Sequence, residues 1–84
     1  MKGAGEFEFD SRTYHVRYIL TETDDGGIEG NIVLRDDKGL DWNNLLGRTQ
    51  DFFHLSLSDG AVCRIRPRSY TPVNRTIRVI GRRK

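Results

Sequence analysis

FFHLSLSDGAVCRIR, residues 52–66, sets an Asp-Gly pair between two runs in which apolar and polar side chains alternate. A two-residue period is that of a half-buried β-strand, and Asp-Gly is a preferred pair for the tight turn of an antiparallel hairpin. The spacing predicts a two-residue turn at Asp59-Gly60, with Phe53, Leu55 and Leu57 opposite Ala61, Cys63 and Ile65 on the buried side. His54, Ser56 and Ser58 then face outward on one strand, and Arg64, Arg66 and Arg68 on the other.

The same period runs through the N-terminal part of the chain. GEFEFD (5–10) puts Phe7 and Phe9 on one face and Glu6, Glu8 and Asp10 on the other. TYHVRYILT (13–21) turns Tyr14, Val16, Tyr18 and Leu20 inward and Thr13, His15 and Arg17 outward. DDGG (24–27) is turn chemistry, and IEGNIVLR (28–35) reads as a third strand whose interior Gly30 marks a bulge or a sharp bend. Beyond DDKG (36–39) the apolar spacing lengthens through Leu40, Trp42, Leu45 and Leu46 to Phe52 and Phe53. That spacing predicts one short helix around residues 41–47, capped by Asp41 and ended by Gly47. After the hairpin, Pro67 ends its strand or sets it at an edge, TPVN (71–74) turns, and RTIRVI (75–80) is the last strand.

Three strands, a helix, then further strands is the order of a small antiparallel β-barrel of five to six strands, in which closure removes exposed edges. An OB-like barrel places its helix between the third and fourth strands, as here, and an SH3-like barrel is the runner-up. Residues 1–84 are expected to form one domain, with residues 1–4 and 82–84 as flexible ends. A chain of 84 residues hides only about 60–65% of the surface its unfolded form exposes, so the core is small. Cys63 is the one cysteine, which excludes an internal disulfide and suits a buried small hydrophobe. No apolar leader core and no run of eighteen apolar residues occurs, so a cytoplasmic protein without membrane contact is the expectation.

The net charge of +2 conceals a polarity. All twelve carboxylates and six of the fourteen cations lie in residues 1–59, while residues 60–84 carry the other eight cations and no acid. Enzyme signatures are missing: no nucleophile elbow, phosphate loop or paired-histidine metal helix is present. His54, Ser58 and Asp59 sit on one exposed strand and turn, where a nucleophile lacks the shielding it needs. TETDDGGIEGNI (21–32) resembles a calcium loop only until the closing ligand, which falls on Ile32. No cofactor or metal is expected, and Trp42 reads as a core residue.

What the arginines meet is then the functional question. If Ile77 and Val79 face inward, Arg78 and Arg82 face outward, with Ile80 an apolar exception among them. Should the two C-terminal strands be neighbours, four or five guanidinium groups share a patch and repel at a few tenths to about 1 kcal/mol per opposed pair. Phosphates of RNA or single-stranded DNA would offset this, with Tyr70 beside Arg68, or His54, stacking on a base. The expected nucleic-acid-binding set is Arg64, Arg66, Arg68, Tyr70, Arg78 and Arg82. The alternative is a protein-interaction module whose basic face docks an acidic partner, or a homodimer. A purely internal explanation pairs the first strand with the last, setting Glu6, Glu8 and Asp10 across from Arg78 and Arg82.

Overall fold

The computed structural model describes residues 1–48 and 50–83. Its strands are β1 (Lys2–Phe9), β2 (Arg12–Glu22), β3 (Gly27–Leu34), β4 (Phe53–Ser56), β5 (Val62–Thr71) and β6 (Thr76–Arg83). Helix α1 (Trp42–Leu46) lies between β3 and β4, and a single 3-10 turn at Pro72–Asn74 joins β5 to β6. The strands close into a barrel in the order β1-β2-β3-β6-β5-β4, with every neighbouring pair antiparallel. This is the expected mainly β barrel with its helix after the third strand. It consists of two three-stranded meanders, β1-β2-β3 and β4-β5-β6, joined along β3–β6 and β1–β4.

Alternation decides which side chains fill it. Phe7, Phe9, Tyr14, Val16, Tyr18, Leu20, Ile32, Leu34, Leu55, Cys63, Ile65, Ile77 and Val79 are buried, each at the inward position its strand's period assigns. Burying a large aliphatic or aromatic side chain is worth about 1.5–3 kcal/mol, so this interior drives folding. One mouth of the barrel is plugged by α1. The Asp41 carboxylate accepts from the Asn44 N–H at 3.1 Å, the helix ends at Gly47, and Leu45 enters the core. At the same mouth Phe9 and Phe53 meet edge to face at 5.1 Å, and Arg48 lies over both rings while pairing with Asp10 and Asp51.

Three local features depart from the sequence reading. Asp59-Gly60 belongs to a three-residue turn: Gly60 donates to the Leu57 carbonyl, Leu57 donates to the Ala61 carbonyl, and Gly60 takes φ +88°. The anticipated pairs nevertheless hold, because Leu55 opposes Cys63 and Phe53 opposes Ile65. The two-residue hairpin is instead Asp10-Ser11, where both residues take positive φ as a primed turn requires. Pro67 does not end β5, which runs on to Thr71. Pairing with β4 stops at Ile65 and a bulge lies between Pro67 and Ser69, so the proline sits where the ladder is already interrupted. At the two ends, Lys2–Ala4 pair with Arg17–Ile19, and Arg82 and Arg83 pair with Arg64 and Cys63, while Lys84 lies outside the described residues. The terminal amine also donates to the Leu20 carbonyl at 2.6 Å.

Gly30 is not a bulge, since the register passes through it unbroken on both sides. It and Gly81 face inward where a neighbouring strand crosses close by. A Cβ at Gly30 would stand 2.0 Å from the Ile19 oxygen, and one at Gly81 would stand 1.9 Å from the Arg64 oxygen. These are barrel corners that admit no side chain.

Cys63 has no exposed surface, and burial pushes its thiol above its ordinary pKa; Tyr70 is shifted the same way by the same cause. A thiol or phenol harder to ionise in the folded state contributes stability below its unfolded pKa and loses it as pH rises past that value. The melting temperature should therefore decline from about pH 8.5 upward, first through Cys63 and then through Tyr70. Native protein should react with a polar disulfide reagent far more slowly than protein unfolded in urea. Equal labelling rates would contradict the inward register of β5.

Candidate nucleic-acid interface

β5 and β6 are neighbours, so the arginines do share a face. Arg64 is the register partner of Arg82, Arg66 of Ile80, and Ser69 of Arg78, with Arg68 in the bulge beside that last pair. Arg64, Arg68, Arg78 and Arg82 are exposed and Arg66 is half-buried. Ile80 sits among them as the floor of an open groove of about 570 Å³, lined by Arg64, Arg66, Arg82, Phe52 and Glu29 and by the β2–β3 turn at Thr23–Asp25.

Phe52 was not anticipated as a member of this face. It stands just before β4 with 47% of its surface exposed, and the guanidinium carbons of Arg64 and Arg66 lie 4.7 Å and 5.6 Å from its ring centre. Its sequence signal is the Phe-Phe doublet: side chains of adjacent residues in extended chain point to opposite faces, so Phe53 inward leaves Phe52 outward. A cation over an aromatic face is worth about 0.5–1 kcal/mol at an exposed site, enough to offset much of the repulsion between Arg64 and Arg82.

Part of the basic segment is neutralised within the chain, though not by the carboxylates expected. β1 lies between β2 and β4 and never meets β6, so Glu6 opposes His15 and Ser56, and Glu8 opposes Thr13 and His54. The barrel closes β1 on β4 because the second meander returns along β3. The acids that do reach the C-terminal arginines are Glu22 at the end of β2, Asp25 in the β2–β3 turn and Asp59 in the β4–β5 turn. Arg83 pairs with Glu22 at 3.6 Å and with Asp59 at 3.2 Å, and Arg82 lies 4.0 Å from Asp25 while donating to its carbonyl oxygen. The Thr23 hydroxyl, then the Gly27 N–H, and also the Arg82 charge hold the Asp25 carboxyl below its ordinary pKa, which keeps that turn ionised. Among the described residues, no carboxylate is within ion-pair distance of Arg64, Arg66, Arg68 or Arg78.

Tyr70 is not on this face. The bulge after Pro67 shifts the alternation by one, so Tyr70 pairs with buried Ile77, donates to the Leu45 carbonyl at 2.6 Å and meets Trp42 edge to face at 6.3 Å. It fastens α1 over the barrel mouth and is not available as a stacking surface. His54 keeps the position expected of it, opposite Arg64.

A second basic surface is assembled from three cations of the acidic part of the sequence, Lys2, Arg17 and Arg35, together with Arg75. On the outer side of β1, β2 and β3, Lys2 opposes Ile19, and Arg17 lies between Ala4 and Val33. A groove of about 540 Å³ there is also lined by His15, Arg35 and Arg75. Ile19 is 63% exposed and Val33 37% exposed. Among the described residues, Lys2, Arg17, Arg35 and Arg75 have no ion-pair partner.

Comparison with protein-family models, with curated proteins and with solved structures finds no match to this chain. No helix among the described residues is long and apolar enough to cross a membrane, and none of their His, Cys, Asp and Glu side chains group in threes or more to hold a metal ion.

Proposed function

We propose that this is a non-enzymatic, cytoplasmic domain that binds RNA or single-stranded DNA on the outer face of β5 and β6. Phe52 carries the reading: an exposed ring beside Arg64 and Arg66, which lack carboxylate partners, offers a base a stacking surface and its phosphates two guanidinium forks. Arg68 and Arg78 extend the track along the strands, and Arg82 borders it. Unpaired bases suit such a platform because both their faces are free, whereas in a duplex they are already stacked. Against hydrolytic or transfer chemistry, Ser58 is engaged with the buried Tyr18 hydroxyl at 3.0 Å rather than with a base.

Salt dependence tests the proposal. Contact with about three to five phosphates should make log affinity for a short single strand fall against log salt with a slope of roughly −2 to −3.5, since each contact on a single strand contributes about −0.7. Absence of any oligonucleotide retention at low salt, where such attraction is strongest, would remove the proposal.

Docking of an acidic protein is the second reading, and the other basic surface favours it. Ile19 and Val33 are aliphatic and, among the described residues, no exposed Phe, Tyr or Trp lies beside them, so that surface suits apolar side chains within an acidic segment rather than bases.

A further inference from the structure

The arginine groove has a carboxylate on its far wall. Arg66, Ile80 and Glu29 are successive register partners across β5, β6 and β3, so they form one row perpendicular to the strands. Arg66 lies over Phe52 at one end of that row, Ile80 floors it, and Glu29 stands exposed at the other end. The β2–β3 turn adds two acids to the groove, Asp24 and Asp25, of which Asp25 is committed to Thr23, Gly27 and Arg82. Glu29 has no ion-pair partner among the described residues.

A carboxylate repels phosphate, so Glu29 restricts how a nucleotide can lie here. Phosphates belong over Arg64 and Arg66, and the group turned toward Glu29 has to be a hydrogen-bond donor. On a deoxynucleotide within a strand, the base supplies that donor: cytosine, adenine and guanine carry exocyclic amino groups, whereas thymine offers only an N3–H set between two carbonyl oxygens that a carboxylate repels. Phe52 precedes β4, so about three strand spacings, roughly 14 Å, separate its backbone from that of Glu29; its ring leans toward β5, 5.6 Å from the Arg66 guanidinium, and both side chains line the one groove, so a base on the ring bridges the remainder.

Resting on the nucleic-acid reading above, we propose that Glu29 is a base-selecting residue. Its carboxylate accepts a hydrogen bond from the exocyclic amino group of the base stacked on Phe52, so the groove prefers the amino-bearing bases cytosine, adenine and guanine to thymine or uracil. A carboxylate that only trims the positive field would act otherwise: its removal would strengthen binding of every oligonucleotide by the same factor.

Fluorescence polarisation with labelled oligodeoxycytidylate and oligothymidylate of equal length, at neutral pH and low salt, separates these outcomes. Wild-type protein should bind the cytosine strand roughly tenfold more tightly, the lower part of the range for a specific base contact. In Glu29→Val, which keeps a strand-forming side chain and loses the acceptor, thymine binding should rise and the preference should shrink to about twofold or less. Glu29→Gln, which keeps a carbonyl acceptor, should retain part of the preference. Equal binding of both strands by wild type overturns the role of Glu29 while leaving the interface intact, and so does a preference that survives undiminished in Glu29→Val. Failure of wild type to bind either strand overturns the interface and the selection together.

Discussion

Gly81→Ala should lower the stability of this protein by about 3 kcal/mol or more, a large share of the roughly 4–12 kcal/mol that a domain of this size possesses. The added methyl would stand 1.9 Å from the Arg64 carbonyl oxygen and 2.8 Å from the Ile65 Cα, and both are backbone atoms held in the β4–β5–β6 ladders. Neither can retreat without opening the barrel. Urea unfolding followed by circular dichroism gives the measurement, with Gly47→Ala as the matched control. Gly47 has φ −76°, and the nearest atoms to its added methyl lie at ordinary contact distance, so that change should be neutral or slightly stabilising. If Gly81→Ala unfolds within about 1 kcal/mol of wild type, β5 and β6 do not cross as closely as described.

Reversing two charges should have the largest effect on binding. Arg64→Glu with Arg66→Glu removes two phosphate contacts and puts two carboxylates in their place, and affinity for a single strand should fall about a hundredfold or more at low salt. Stability should change by no more than about 1 kcal/mol. The variant loses the cations over Phe52, but it also turns the opposed Arg64–Arg82 pair from repulsive to attractive. Phe52→Ala should weaken binding about tenfold without altering the salt slope, since stacking on a base carries no counterion. Arg17→Glu, on the other basic surface, should leave oligonucleotide affinity within about twofold. Should Arg17→Glu weaken oligonucleotides as much as the double reversal does, the ligand follows the whole basic surface and not the β5–β6 groove.

Much of this architecture is legible from residue order alone. A period of two separates inward from outward side chains in every strand, because successive Cβ atoms leave an extended chain on opposite sides. The helix at residues 41–47 announces itself by its Asp41 cap and its terminating Gly47, both local properties. The outward direction of Arg64, Arg66, Arg78 and Arg82 and the apolar exception at Ile80 follow from the same count. Tyr70 escaped it, because one bulged residue after Pro67 reverses the facing of everything beyond it, and a bulge leaves no mark in an alternating pattern. Phe52 escaped because its place in a lengthened apolar spacing masked the doublet.

Which strands become neighbours, and so which charges meet, belongs to the tertiary structure. Alternation says that β1 has an acidic side and β6 a basic one, but it carries no information on whether they touch. Barrel closure puts β1 against β4, leaves Glu6 and Glu8 away from the arginines, and brings Glu22 from the end of β2 and the turn acids Asp25 and Asp59 to Arg82 and Arg83. It also gathers Lys2, Arg17, Arg35 and Arg75 from distant parts of the chain into a second basic surface. Facing is set by each residue's own backbone, within a few residues, whereas adjacency is set by how six strands can close without a free edge, a condition on the whole chain at once.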